Sequence, residues 1–231
     1  MTENKRYNPM IKLEGVSKYF QKSGVKKIVA NNINVLFPTN KSVAILGRNG
    51  AGKTTLLRMI AGQITQDRGR IERSGSVSWP VGFGGGFHRE LSAAQNIRFI
   101  ARIYGIDTDE LLAFAQEFAD IGKYFYLPIK TYSSGMHSRL SFGVSMGICF
   151  DTYLVDEVMA VGDANFKRKC QEVFDSRLKQ CGAIVVSHSR NQILRMCESG
   201  VVLENGQIEY FPDVRNAIER HEYNMKEAFT D

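Results

Sequence analysis

The stretch GRNGAGKT, residues 47–54, has the residue types and spacing of a loop that binds the phosphates of a nucleotide. It fits the pattern G-x-x-x-x-G-K-[ST], follows the apolar run SVAIL and precedes the helical pattern of TTLLRMIAG. Backbone N–H groups of such a loop form a nest for anions together with the N-terminus of the next helix. Lys53 is placed to reach the outer phosphates, and the Thr54 hydroxyl to ligate Mg²⁺. The residues predicted to contact the nucleotide here are Gly47, Arg48, Asn49, Gly50, Ala51, Gly52, Lys53, Thr54 and Thr55.

Two neighbouring carboxylates supply what a hydrolytic nucleotide site also needs. The apolar run YLV leads directly into Asp156 and Glu157. At the carboxyl end of a buried strand, Asp156 is positioned to hold the Mg²⁺ shell, and Glu157 to polarise an attacking water. We expect His188, at the end of the next apolar strand, to hydrogen-bond the terminal phosphate. A histidine at a strand end is more often structural, but its order after Lys53 and the acidic pair favours this role.

The segments that would position these residues alternate between strand and helix patterns. SVAIL (42–46), TYLVD (152–156) and AIVVSH (183–188) are continuous apolar runs, as in parallel strands covered on both faces. MIKLEGV and NINVLF alternate apolar with polar residues, as half-buried antiparallel strands do, and the Asn-Gly of VVLENGQIEY predicts a hairpin. The sequence therefore predicts an α/β fold with a doubly wound parallel-sheet core and an N-terminal antiparallel β part.

The middle of the chain has a different, mainly helical pattern. Ser92 with Gln95 and Asp107 with Glu110 form two capping-box patterns; the first opens a helix that Gly105 closes, and the second opens ELLAFAQEFADIGKYF. We therefore expect a helical lobe at about 82–147, inserted into a core at about 1–81 and 148–231. The whole chain, residues 1–231, is then one nucleotide-binding domain that ends in a helix at roughly 213–228.

Composition excludes several other classes of protein. The 231 residues are 43% hydrophobic and 23% charged, as in ordinary globular proteins. The longest uncharged stretch, LSFGVSMGICF, is too short for a membrane span, which needs about 20 apolar residues. The four cysteines have no C-x-x-C spacing, which argues against a zinc site or a redox pair. Residues 1–40 carry seven Lys or Arg against two Glu. This excess of positive charge is compatible with a surface that binds nucleic acid or anionic lipid, but we favour a solvated basic face.

A second glycine-containing turn, YSSGM at residues 132–136, resembles the signature sequence of ABC-type ATPases and lies shortly before the acidic strand, as in that family. The resemblance covers nearly the whole chain. It implies a P-loop NTPase, RecA-like core that binds ATP and Mg²⁺. It also implies that two copies pack head to tail, each signature closing over ATP held by the other copy. The residues that it adds to the nucleotide site are Ser133, Ser134, Gly135 and Met136 in the signature and Asp163 in the turn AVGD.

GRNGAGKT, SWPVGFGGGF, KTYSSGM and DEVMAVGDANFKRKC resemble the ATPase subunits that export capsular polysaccharide across the inner membrane of Gram-negative bacteria. The related O-antigen and teichoic acid exporters are alternatives. The resemblance implies a peripheral protein at the cytoplasmic face of the inner membrane, held there by two copies of a polytopic permease, with further envelope export components. Nucleic acid is not an expected partner. A soluble ABC ATPase acting on nucleic acid or the ribosome is the alternative function, which the basic front end permits.

The chain also departs from the family pattern. ABC ATPases place a Mg²⁺-contacting glutamine between the phosphate loop and the helical lobe, but residues 76–91 contain none. His88 stands close to the expected position and is our candidate metal ligand there; a surface-loop histidine is the alternative. Phe20 is expected to stack on the adenine, with Tyr19 as the alternative, because an aromatic ring can stack on a base without reading it.

Overall fold

The computed structural model describes residues 10–22, 24–38, 40–82, 86–156 and 163–227. Its strands are β1 (Met10–Lys22), β2 (Val25–Pro38), β3 (Ser42–Leu46), β4 (Arg68–Arg73), β5 (Val77–Pro80), β6 (Thr152–Asp156), β7 (Gly182–Val186), β8 (Ser199–Glu204) and β9 (Gln207–Phe211). Its α-helices are α1 (Lys53–Ile60), α2 (Ala93–Tyr104), α3 (Thr108–Ala119), α4 (Ser134–Gly147), α5 (Ala164–Leu178), α6 (Arg190–Met196) and α7 (Val214–Glu227). The chain forms two compact units, the first from the described parts of 1–80, 150–157 and 180–231, and the second from those of 81–149 and 158–179.

A six-stranded sheet forms the centre of the first unit. Its strand order is β5-β6-β7-β3-β8-β9, and neighbours pair in parallel except at the β8–β9 edge. Every residue of β3 and β7 is buried, which agrees with their uninterrupted apolar sequences. The predicted parallel core is confirmed.

Helix α1 attaches the phosphate loop to this sheet. It begins at Lys53, directly after the loop, and buries Leu56, Leu57, Met59 and Ile60. These side chains join a core cluster with strand residues that include Val43, Leu154 and Ile184. Burial of several such side chains, each contributing about 1.5–3 kcal/mol, fixes where the helix begins. The first turn of α1 is therefore held at the carboxyl end of β3.

Two antiparallel features complete the first unit. A three-stranded sheet has the order β2-β1-β4, with Leu13 paired to Val35 across the first two strands. At the other edge, β8 and β9 form the predicted hairpin, and its two turn residues, Asn205 and Gly206, have φ values of 48° and 75°. Positive φ at both positions is the requirement of a type I′ turn, which Asn-Gly meets at low cost.

The second unit contains the helical lobe, and its first helix is the one expected. Ser92 and Gln95 form both hydrogen bonds of a capping box at the start of α2, and Gly105 ends the helix in the left-handed conformation. Asp107 caps α3 by accepting hydrogen bonds from the backbone N–H groups of Asp109 and Glu110.

The second predicted helix is shorter than its sequence pattern. We expected it to run through ELLAFAQEFADIGKYF, but α3 ends at Ala119, and residues 122–126 form a separate 3₁₀ helix. Asp120 has a φ of 46° and Gly122 a φ of 55°, and an α-helix cannot pass through residues in this conformation.

Helix α5 belongs to the second unit as well, beyond the boundary at residue 147 that the sequence suggested. The Phe118 ring stacks on Phe142 at 5.5 Å and meets the edge of Phe166, in α5, at 5.4 Å. Lys169 donates hydrogen bonds to the carbonyl oxygens of Glu117 and Phe118, at 3.0 and 3.2 Å. These contacts bind α5 to the end of α3.

No helix among the described residues combines the length and the apolar character that a membrane crossing requires.

Candidate functional site

A cavity of about 450 Å³ in the first unit is lined by Phe20 and by most of the predicted phosphate-loop residues. Its volume suits a small-molecule ligand. Its walls come from the phosphate loop, from the start of α1, from the N-terminal sheet and from the turn after β7. The lining residues are Phe20, Lys27, Val29, Asn49, Gly50, Gly52, Lys53, Thr54, Thr55 and His188.

Close backbone contacts hold the phosphate loop in place. Gly52 has a φ of 108°, and a Cβ atom there would lie 2.3 Å from Cγ1 of Val29. A Cβ atom on Gly47 would lie 2.3 Å from the carbonyl oxygen of Leu203. Any larger residue at either glycine would therefore push the loop away from β2 or β8. The other side of the loop is open, and there its backbone N–H groups can bind an anion.

The Lys53 ammonium lies inside the loop. Its side chain is buried, and Nζ donates hydrogen bonds to the carbonyl oxygens of Gly47, at 2.6 Å, and Arg48, at 3.1 Å. A buried cation beside a nest of N–H groups is a fitting environment for the phosphates of a nucleotide.

Two oxygen donors meet at the start of α1. The Thr54 hydroxyl donates a hydrogen bond of 3.3 Å to Oδ1 of Asp156, at the end of β6. A hydroxyl and a carboxylate are oxygen ligands of the kind that Mg²⁺ takes beside nucleotide phosphates. The residues present therefore fit the ion. The predicted base, Glu157, lies outside the described residues.

His188 lines the same cavity as Lys53, but it is not in a strand. The sequence suggested that His188 ends the apolar strand, whereas β7 ends at Val186. The turn that carries it is held by Ser187, whose hydroxyl donates to Oε1 of Gln192 at 2.8 Å, and by Ser189, which caps α6. The side-chain hydrogen bonds of these two serines stabilise a turn, which ends the strand early. His188 therefore lines the cavity from a loop.

The structure places Phe20, and not Tyr19, in the lining of the cavity. The two rings alternate on β1, so they point to opposite faces of the strand. The Tyr19 ring instead carries the ammonium of Lys26 at 4.3 Å from its centroid. This placement favours Phe20 as the residue that stacks on the base.

The signature turn lies in the second unit and caps a helix. The Ser133 hydroxyl accepts a hydrogen bond of 3.2 Å from the backbone N–H of Met136, at the start of α4. The residue before Ser133, Tyr132, is held in place because its hydroxyl donates a hydrogen bond of 2.7 Å to the carbonyl oxygen of Tyr124. Ser133, Ser134 and Gly135 are exposed, so the N-terminus of this 14-residue helix faces solvent.

Asp163 caps α5 in the second unit. Its carboxylate accepts from the backbone N–H of Phe166 at 2.9 Å and from the Arg139 guanidinium at 2.8 Å. The hydrogen bond from Phe166 and then the charge of Arg139 hold the pKa of this carboxyl below its usual range. The preceding residues of the turn AVGD, 160–162, lie outside the described residues.

His88 is exposed, and its backbone is tied to the start of α2. Its N–H donates to Oδ1 of Asn96 at 2.7 Å, and the Asn96 amide donates back to the His88 carbonyl oxygen at 3.1 Å. These bonds fix the loop within the second unit. The role of His88 as a metal ligand stays a prediction.

Lys27 lines the cavity, although the sequence analysis did not select it. Its Nζ lies 3.3 Å from the position that a Cβ atom on Gly50 would take, directly against the phosphate loop. Lys27 pairs with Phe20 across β1 and β2, so the two side chains share one face. Only this strand register distinguishes Lys27 from its neighbour Lys26.

The chain matches the protein-family model described as "ABC transporter" over residues 30–160. It is 47% identical to the polysialic acid transport ATP-binding protein KpsT of Escherichia coli, over 94% of this chain and 97% of that protein. This chain belongs to the ABC transporter family. Its nucleotide is therefore ATP, and its metal ion is Mg²⁺.

Further comparisons agree with membership of the ABC family. The ATP-binding protein BexA of Haemophilus influenzae is 43% identical, over 94% of this chain and all of that protein. ATP-binding proteins for teichoic acid and O-antigen export match less closely, at 34% and 33% identity. An ATP-binding cassette solved as a dimer with ADP and phosphate matches the fold with a TM-score of 0.71, at 17% identity, over 86% of this chain and 96% of that one.

Replacing Lys27 should weaken ATP binding by this ABC protein. We expect Lys27→Ala to raise the Kd for MgATP about threefold to tenfold, because the ammonium lies against the phosphate loop, where its charge is exposed and partly screened. Lys26→Ala removes the same charge from the neighbouring position and should change the Kd less than twofold. Titration calorimetry at two salt concentrations measures both effects. Equal effects of the two substitutions would contradict the local role of Lys27.

Proposed function

We propose that the chain is the ATP-hydrolysing subunit of a transporter that exports capsular polysaccharide across the bacterial inner membrane. The observation that carries the proposal is the near full-length match to the polysialic acid transport protein, which leaves no large segment of either chain unmatched. The nucleotide cavity supports the hydrolytic part of the proposal, because Lys53, Thr54, Asp156 and His188 belong to the same unit.

In this proposal the residues predicted for the nucleotide site have separate tasks. Phe20 stacks on the base, and the loop N–H groups with Lys53 bind the phosphates. Thr54 and Asp156 hold Mg²⁺, which neutralises phosphate charge when bound. Glu157 orients and polarises the attacking water, and His188 hydrogen-bonds the terminal phosphate.

We further propose that two copies of the chain pack head to tail around two ATP molecules. The exposed signature turn supports this arrangement, because the hydroxyls of Ser133 and Ser134 and the positive end of α4 are open to a ligand. Gly135 leaves room for close approach, since the nearest atom to a Cβ there would be Oγ of Ser133, at 3.9 Å. The turn then contacts the ATP of the other copy.

The exposed face of α2 is our candidate docking surface for the membrane subunit. Phe99 and Ile103 lie one turn apart, and each is 62% exposed. Arg98 and Arg102 are also exposed on this helix, and residues 93–104 contain no acidic residue. An apolar face with two exposed arginines fits a short cytoplasmic segment of the permease that carries both apolar and acidic side chains.

Docking of this kind supports the expected location at the cytoplasmic face of the inner membrane. In the proposal, two permease copies hold the two ATPase subunits, and further envelope components continue the export path. The expected glycine-rich part of the docking surface, residues 82–86, lies largely outside the described residues. The exposed face of α2 therefore carries the proposal.

The alternative function, action on nucleic acid, receives less support from the charge distribution. Several cations of the N-terminal sheet are paired: Lys18 lies 2.9 Å from Asp67, and Arg70 lies 3.1 Å from Glu72. Glu14 contacts both Lys12 and Arg70. Nucleic-acid affinity comes mainly from unpaired cations that replace counterions on phosphates, and this sheet presents mixed charge instead.

The function is tested by replacing the base and the phosphate-binding lysine in cells. Glu157→Gln should bind MgATP but hydrolyse it at least a hundredfold more slowly, because only the base is removed. Lys53→Ala should lose ATP affinity itself. In a strain that depends on this chain for its capsule, both variants should leave polysaccharide inside the cell, as measured by immunoblotting of surface and cytoplasmic fractions. Surface polysaccharide at the wild-type level with either variant would contradict the proposal.

Docking through α2 is tested with an acidic substitution on its exposed face. Phe99→Asp should reduce co-purification with the permease at least tenfold, because it replaces apolar contact with a buried charge. ATP affinity should stay within twofold of wild type. Leu194→Asp, at an exposed apolar position on α6, is the matched control and should co-purify normally. Equal losses for both variants, or no loss for Phe99→Asp, would refute this docking surface.

The head-to-tail arrangement is tested by mixing two inactive chains. One carries Lys53→Ala, and the other carries Ser134→Arg, whose bulk and charge should block the signature. If the sites are shared between copies, each mixed dimer regains one intact phosphate loop facing one intact signature. Because about half of the dimers in an equal mixture are mixed, ATP-dependent occlusion of nucleotide should return to about a quarter of the wild-type level. Each variant alone provides the baseline. A mixture that occludes no more than the single variants would count against the shared site.

A further inference from the structure

The C-terminal helix α7 brings a second histidine to the phosphate loop. His221 lines a cavity of about 140 Å³ with Lys53 and His188, and another of about 280 Å³ with Arg48 and His188. His188 also lines the nucleotide cavity. All of these residues belong to the first unit. His188 therefore stands between the nucleotide cavity and α7, with His221 on the side away from the nucleotide.

Contacts on both sides of His221 hold α7 in this position. Glu222 accepts from Arg190 at 2.5 Å, and Asn224 donates to Glu204 at 2.7 Å. Ala217 and Ile218, one turn earlier, are buried against the sheet. The His221 ring is thus placed by a fixed helix, although no recognised motif contains it.

The His221 imidazole presents a hydrogen-bond acceptor that the described residues leave unused. Its Nδ1 atom is buried and makes no hydrogen bond within the described part of the chain. Burial lowers the pKa of this imidazole, and the charges of Lys53 and His188 act in the same direction, against Glu204 and Glu222. A lowered pKa favours the neutral form of the ring, in which one nitrogen accepts a hydrogen bond. A buried acceptor without a partner is costly, so a partner in the working state is expected.

We propose that His221 is a positioning residue for ATP hydrolysis, whose Nδ1 accepts an N–H hydrogen bond from His188 when His188 contacts the terminal phosphate. A ring that donates from one nitrogen to phosphate and from the other to His221 is an imidazolium. A neutral acceptor behind the ring orients it and stabilises this form beside negative charge. The inference rests on the proposed ATPase function and deepens it, because it makes α7 part of the hydrolytic site.

The charged groups around the two rings come from four other parts of the first unit. The phosphate loop and α1 supply Arg48 and Lys53, β8 ends at Glu204, and α6 begins with Arg190, which is paired with Glu222 of α7. The two glutamates partly balance the three cations. The chain therefore surrounds His221 with mixed charge, and its role depends on its neutral acceptor atom and its position.

Steady-state kinetics of three single variants test the inference. His221→Leu should lower kcat about tenfold and change the KM for MgATP less than twofold, because ATP binding does not use His221. His221→Asn keeps a hydrogen-bonding atom near the position of Nδ1 and should retain kcat within about threefold of wild type. Tyr223→Leu, an exposed neighbour on α7, is the matched control and should behave as wild type. Thermal melting identifies any variant that loses the fold.

A double-mutant cycle separates positioning from general damage. If His221 acts through His188, His188→Ala with His221→Leu should be no slower than His188→Ala alone. Losses that multiply, an unchanged kcat for His221→Leu, or failure of His221→Asn to restore kcat would each overturn the inference. If His221→Leu unfolds, His221→Ala, which also removes the acceptor, takes its place in the same cycle. Absence of ATPase activity in the wild-type chain would instead overturn the proposed function.

Discussion

Crowding between the phosphate loop and its two neighbouring strands is the contact on which the rest of the site depends. Gly52 lies against Val29 of β2, and Gly47 lies against the carbonyl oxygen of Leu203 in β8, each so closely that a Cβ atom would be 2.3 Å from its neighbour. The loop is thereby wedged between the N-terminal sheet and the central sheet. This fixes the start of α1, and with it Lys53 and Thr54, relative to both sheets.

Because the loop is fixed from two sides, residues far apart in the chain come together around it. Phe20 and Lys27 arrive through the pairing of β1 with β2, while Asp156 arrives at the end of β6. In the central sheet β6, β7 and β3 are parallel neighbours, so their carboxyl ends share one edge. Preorganised groups of this kind stabilise charge without a cost of rearrangement at each turnover.

The sequence predicted the parts of this arrangement that depend on local patterns. The strands of the core, the capping box at Ser92 and the Asn-Gly hairpin follow from periodicity and turn chemistry, and all are present. The predicted length of α3 was wrong, because Asp120 adopts a left-handed conformation that helix propensity does not report.

Other features depend on contacts that no local pattern reports. Lys27 and Lys26 are equivalent in sequence, and only the strand register turns one toward the loop and the other onto Tyr19. His221 is separated from the phosphate loop by most of the chain, and only the packing of α7 brings it close. The early end of β7, before His188, follows from the hydrogen bonds of Ser187.

In the proposed assembly, the two candidate binding surfaces differ in the chemistry of the ligand that each one selects. The nucleotide cavity places Lys27 and Lys53 beside a nest of backbone N–H groups, so it selects a compact polyanion. The exposed face of α2 spaces two arginines around Phe99 and Ile103, so a bare polyphosphate would leave the apolar surface in water. A folded segment with both acidic and apolar side chains satisfies that face, and a nucleotide does not. If α2 contacts the membrane subunit as proposed, this mixture of charge and apolar area keeps the nucleotide site and the docking site chemically separate.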